Sequence, residues 1–142
     1  MNNWDEYYKK SISEKPSLIL QKFFDLGLNI NLTNKRAIDL GCGAGNDTVF
    51  LLTHGFSVMS IDKEESVVDI IKNRISSDAK VEFIIDKFGG VVLPSTNLVV
   101  ANFSIPFCHP KFFDKFCTEI TGCIVEGRLL CRKFFRIRRW LE

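Results

Sequence analysis

The run Ala37-Ile38-Asp39-Leu40-Gly41-Cys42-Gly43-Ala44-Gly45-Asn46-Asp47 constrains this chain more than any other part of it. A short apolar stretch carries an acid near its end, passes through glycines at alternate positions and continues into a helix-forming segment. Glycine at those positions removes every Cβ where the backbone must bend through unusual φ values and lie close to a ligand. The amides of such a turn, at the start of a helix, are predicted to form a concave electropositive cradle. Strand, glycine turn and helix together open a parallel α/β unit. The chain is therefore expected to fold as an α/β domain with a parallel sheet.

The rest of the chain repeats the alternation. A helix is predicted over 17–26 after Pro16, with Leu18, Ile19, Phe23 and Leu26 facing inward. Strand 37–40 leads through the glycine turn to helix 46–53, which His54-Gly55 should stop. Strand 56–61 ends at Asp62, and helix 65–76 would turn Val67, Val68, Ile70, Ile71 and Ile75 toward the sheet. Strand 81–85 ends at Asp86, a fourth strand is expected at 98–101, a helix from Pro110 to Ile120 and a fifth strand at 128–134. Asp39, Asp62, Asp86 and Asn102 all fall at or next to strand ends, where sheets of this kind bind ligands. Four polar residues there imply a polar ligand.

Length and composition narrow the class. At 142 residues there is room for one domain, 1–142, and chains of about 150 residues bury roughly 70% of their unfolded surface. No apolar run approaches the ~18–20 residues of a membrane span, and Met1–Glu6 does not read as a signal peptide. The five cysteines are odd in number and form no Cys-x-x-Cys pair, so reduced thiols in a cytoplasmic protein are expected and no metal site is assigned. Charge is uneven: Arg128, Arg132, Lys133, Arg136, Arg138 and Arg139 crowd the 128–142 tail against Glu142 alone, leaving the remainder net acidic. The basic character belongs to the tail, so a nucleic-acid partner is not the expectation, and none is expected at a membrane.

The glycine spacing is Gly-x-Gly-x-Gly, not the Gly-x-Gly-x-x-Gly of dinucleotide binders, and an acid, Asp39, precedes it by one intervening residue. This resembles the first motif of class I S-adenosylmethionine-dependent methyltransferases, which implies their Rossmann-like, doubly wound parallel sheet. Trp4-Asp5-Glu6-Tyr7-Tyr8, followed by Lys15-Pro16, further resembles the start of the tellurite-resistance and thiopurine-type enzymes. In those an N-terminal segment, here 1–30, folds over the cofactor. The resemblance implies S-adenosylmethionine as cofactor, held by Asp39, Gly41, Cys42, Gly43, Gly45, Asp62, Lys63, Asp86, Lys87, Phe88 and Asn102. Asp62 would accept both ribose hydroxyls; its structural alternative is a solvated acid capping the next helix. Asp86-Lys87-Phe88 would meet the adenine, or is a loop acid beside a core phenylalanine.

Substrate-side candidates are Trp4, Tyr8, Phe103, Pro106, Phe107 and His109. Trp4 and Tyr8 would shield the sulfonium through cation–π contact, or simply anchor a helix. The loop Asn102-Phe103-Ser104-Ile105-Pro106-Phe107-Cys108 lacks the Asp/Asn-Pro-Pro-aromatic pattern of enzymes that methylate DNA-base amines, so a small-molecule acceptor is preferred. Neither His54 nor His109 has an acidic neighbour that makes it a general base. Family members continue past the fifth strand with two more, so a C-terminal truncation is expected, with strand five an edge open to homodimerisation. The alternatives are a cofactor-binding remnant without turnover and a nicotinamide or flavin protein.

Overall fold

The computed structural model describes residues 3–12, 15–29, 32, 34–86, 91–102 and 110–132. In chain order the elements are α1 (Asn3–Ser11), α2 (Leu18–Asp25), β1 (Arg36–Leu40), α3 (Asn46–Thr53), β2 (Ser57–Asp62), α4 (Ser66–Lys72), β3 (Val81–Ile85), β4 (Thr96–Asn102), α5 (Pro110–Cys123) and β5 (Ile124–Arg132). Among the described residues the five strands form one sheet in the order β3-β2-β1-β4-β5. Every pairing is parallel. From β1 the chain winds outward through β2 and β3, then returns to β4 on the other side. The direction of winding reverses between β1 and β4, and that reversal opens a crevice beyond the carboxyl ends of the strands.

Strand periodicity divides the core in two. Ala37, Val58, Leu98 and Val100 share a face with Leu20 and Phe23 of α2, Leu51 of α3 and Phe56. Ile38, Leu40, Ile61, Val99 and Ala101 face the other way, onto Phe116 and Ile120 of α5. Helices on both sides explain why Leu98-Val99-Val100-Ala101 is unbroken by polar residues and fully buried. β3, an outer strand, is only partly covered. A third cluster, Tyr8, Cys42, Ala44, Val67 and Ile71, sits at the glycine turn and joins α1 and α4 to it.

Several expected boundaries move. In α2 the buried stripe is Leu20 and Phe23 with Ile19 and Phe24 beside it, whereas Leu18 and Leu26 are 56% and 73% exposed. Leu26 is already the C-cap, and Gly27 at φ 71° ends the helix. α4 stops at Lys72 instead of running to 76, because Arg74 donates its amide to Ile71 in a tight turn. α5 runs past Ile120 to Cys123, and β5 begins at once at Ile124 instead of 128, with an irregularity opposite Thr96–Leu98. The last two residues of the expected fifth strand, 133 and 134, lie outside the described residues, as does the rest of the basic tail. Cys42, Cys117 and Cys123 carry free thiols. Among the described residues no helix is long and apolar enough to cross a membrane.

Candidate functional site: the glycine turn and Asp62

The turn after β1 takes the shape its glycines allow. Gly41, Gly43 and Gly45 have φ values of 70°, 52° and 85°, a region that side chains with a Cβ rarely enter. Gly45 caps α3 in this left-handed conformation, and its carbonyl accepts the Val49 amide at 2.8 Å. A Cβ on Gly45 would stand 2.4 Å from Ile71 Cγ1, so the turn and α4 are packed to a depth that only glycine permits. From beyond the end of α4, Arg74 Nη1 donates to the Ala44 carbonyl at 2.6 Å.

The electropositive cradle expected from the sequence does not form at four of the turn's amides. Gly41 and Cys42 both donate to the Ile61 carbonyl, at 2.7 and 3.1 Å, and Gly45 donates to the Cys42 carbonyl at 2.9 Å. Gly43 donates to Asp62 Oδ2 at 3.0 Å. These N–H groups are spent on the protein itself.

Asp62, the last residue of β2, is 4% exposed and closes the site from the side. Its Oδ1 accepts the Tyr8 hydroxyl at 3.1 Å and the Glu64 amide at 3.0 Å. Its backbone carbonyl accepts the amide of Asp86 at 3.0 Å, which brings the end of β3 alongside. Burial first, and then the negative charge of Asp62, push the Tyr8 phenol above its ordinary pKa. Burial, reinforced by Asp39 and Asp62, likewise holds the Cys42 thiol protonated.

Asp39 is turned toward α3. It is 3% exposed and accepts the Thr48 hydroxyl at 2.6 Å, while Thr48 Oγ1 also meets Ser60 Oγ at 2.8 Å. This buried chain ties β1 and β2 to α3 beneath the turn. Burial and the nearby Asp47 raise the Asp39 pKa to about 8, against the opposing Thr48 hydrogen bond. Asp47 is itself buried, accepts the Ser17 amide at 2.7 Å and so ties α2 to α3.

Of the residues predicted from sequence, Asp39, Gly41, Cys42, Gly43, Gly45, Asp62 and Tyr8 come together, with Lys63 and Asp86 exposed at the rim. Trp4 lies in α1, and Asn102 ends β4, paired with Arg132 of β5. Lys87, Phe88, Phe103, Pro106, Phe107 and His109 lie outside the described residues. His54 caps α3, donates Nδ1–H to the Phe50 carbonyl at 2.7 Å and packs on Phe24 and Phe50, away from the site. Sequence reasoning missed Thr48, Ser60 and Arg74, and placed Tyr8 on the substrate side without its partner. Thr48, three residues into the helix after Gly45, was within reach of a helical-wheel argument. Arg74 had no sequence signal.

Comparison with known proteins agrees with this geometry. A family model described as a methyltransferase domain matches residues 37–127. Carboxy-S-adenosyl-L-methionine synthase of Shewanella halifaxensis is 26% identical over 119 residues, covering 79% of this chain and 49% of that protein. Magnesium-protoporphyrin O-methyltransferase of Rhodobacter capsulatus is 30% identical over 92 residues, covering 63% and 41%. The chain thus spans about half the length of the curated relatives it matches, or slightly less. TehB from Haemophilus influenzae superposes with a TM-score of 0.66 at 17% identity, covering 78% of this chain and 39% of that one. Burkholderia thailandensis 1,6-didemethyltoxoflavin-N1-methyltransferase, solved with 1,6-didemethyltoxoflavin and S-adenosylhomocysteine, gives 0.64 at 18% identity, covering 80% and 51%. A parallel sheet that reverses beside a triple-glycine turn, with the family match running from the first strand into the fifth, makes this chain a member of the methyltransferase domain family, with the fold of class I S-adenosylmethionine-dependent enzymes.

Proposed function

We propose that the chain binds S-adenosylmethionine in the crevice beyond β1, β2 and β4 and serves methyl transfer to a small-molecule acceptor. The observation that carries this reading is the junction of Gly43 and Asp62, where the glycine turn meets a buried carboxylate at a strand end. The turn lets the ligand lie against backbone, and Asp62 Oδ2 receives a ribose hydroxyl. Asp86, at the end of the neighbouring strand, lies toward the adenine. When bound, the cofactor supplies a methyl group already activated on a sulfonium sulfur, so the protein's task is placement more than proton transfer. Two of the proteins named above are a magnesium-protoporphyrin and a 1,6-didemethyltoxoflavin methyltransferase, which supports a small-molecule acceptor.

A second reading is chemistry on the cofactor itself. Four relatives from Shewanella are named carboxy-S-adenosyl-L-methionine synthase, a name in which the product is a carboxylated form of the cofactor. A third is binding without turnover. Self-association through the edge of β5 belongs to the same proposal, and sedimentation velocity tests it. Calorimetric titration with S-adenosylmethionine and S-adenosylhomocysteine, for the wild type and Asp62→Ala, tests the cofactor site. Micromolar binding lost in the variant supports it, and no binding by a folded chain refutes it. Mass analysis of the cofactor after incubation with candidate acceptors then separates methyl loss, cofactor modification and no reaction.

A further inference from the structure

An ionised carboxylate offers about four acceptor positions, two on each oxygen. In Asp62 the described residues fill three of them. Oδ1 takes the Tyr8 hydroxyl and the Glu64 amide, and Oδ2 takes the Gly43 amide. The two amides belong to the backbone of the turn and of the loop after β2. Tyr8 is the one side chain in the set. A ribose diol received by both oxygens needs two positions, and one remains, on Oδ2.

A bound ribose gains its second position only if Tyr8 withdraws. Replacing a phenol hydroxyl by a ribose hydroxyl on the same oxygen exchanges one hydrogen bond for another and gains little. Withdrawal also exposes an aromatic ring that is 4% exposed and packed with Cys42, Ala44, Val67 and Ile71. The ring lies over the turn, where a Cβ on Gly43 would come 3.2 Å from Tyr8 Cε1. One helical turn further on, Asn46 Nδ2 donates to the Ser11 carbonyl at 2.8 Å and holds the end of α1 down.

We propose that Tyr8 is a specificity-determining residue of the cofactor site: it occupies one acceptor position of Asp62 and so makes that carboxylate a reader of a single ribose hydroxyl. The inference rests on the S-adenosylmethionine reading above. It assigns α1 a role in what the site recognises, beyond covering it.

The test is calorimetric titration of the whole chain with S-adenosylhomocysteine and its 2′-deoxy and 3′-deoxy analogues. In the wild type one analogue binds within about twofold of the parent. The other loses about ten- to hundredfold, the worth of one hydrogen bond to a charged acceptor. In Tyr8→Phe, which keeps the ring in its cluster and frees the Oδ1 position, both analogues lose about tenfold. Comparable losses for both analogues in the wild type would mean that the diol displaces Tyr8, and would overturn the proposal. So would equal binding of all three ligands, or discrimination unchanged in Tyr8→Phe. The wild-type series needs no variant and decides the matter even if Tyr8→Phe fails to fold. A wild type that binds none of the three refutes the cofactor reading and this inference together. Binding lost in Asp62→Ala, with equal losses for the two analogues, keeps the former and removes the latter.

Discussion

Gly45→Ala tests whether α4 and the glycine turn form one rigid unit. Two costs are legible in the structure. Gly45 has φ 85°, and holding an L-residue in the left-handed region costs about 1–2 kcal/mol. The new Cβ would also stand 2.4 Å from Ile71 Cγ1 and 2.8 Å from its Cδ1, and forcing an extra carbon into a packed site costs about 1–3 kcal/mol. Together they predict a loss of about 2–5 kcal/mol. With a urea m-value of about 2 kcal/mol per molar, the unfolding midpoint falls by about 1–2.5 M. Ile71→Ala separates the terms, because it removes Cγ1 and Cδ1 and leaves a Cβ 3.4 Å from the new methyl, an ordinary contact. In that background Gly45→Ala should cost only the backbone term. The double-mutant cycle should therefore show a coupling of about 1–3 kcal/mol. Equal costs in the two backgrounds would refute the packing argument, and a cost below about 1 kcal/mol in the wild type would refute both terms.

Three further outcomes are expected. Asp39 holds its proton to about pH 8 when folded but ionises near pH 4 when unfolded, so the folded chain binds more protons between those values. Stability should fall as pH rises through that window, by up to about 1.4 kcal/mol per pH unit, and thermal melts of Asp39→Asn should show a flatter profile. Arg74→Met removes the donor to the Ala44 carbonyl and should cost about 1–2 kcal/mol in urea, with Arg74→Lys recovering part of it. Asp47→Ala leaves the Ser17 amide without its carboxylate and should cost about 1–3 kcal/mol; faster amide exchange at Ser17, read by NMR, locates the loss at the start of α2.

Much of the fold was legible along the chain. The alternation of apolar runs with glycine and polar breaks placed β1 through β3 and α3 to within about a residue, most securely where a boundary coincides with a residue whose backbone chemistry stops an element. Gly45 at the head of α3 and His54-Gly55 at its foot are such stops. The helix faces were less legible. The 17–26 stretch carries apolar residues around most of its circumference, and only the sheet's position selects Leu20 over Leu18. Likewise nothing local separates α5 from β5, since residues 121–124 suit either state until β4 offers a partner.

Local backbone preferences and residue spacing were enough to specify the three-glycine turn and the acids at successive strand ends, and the resemblance of that motif to a known one pointed to the family. Which partners each acid meets was decided only by packing. Asp39 and Asp62 are alike in type and in position at a strand end. One is turned under α3 onto Thr48, and the other is turned toward the glycine turn, where it meets Gly43 and Tyr8. Those partners lie in separate elements, Tyr8 54 residues from Asp62, and only the assembled fold brings them within hydrogen-bond reach. A carboxylate's chemistry is set by the donors it has already accepted, and those are a property of the fold.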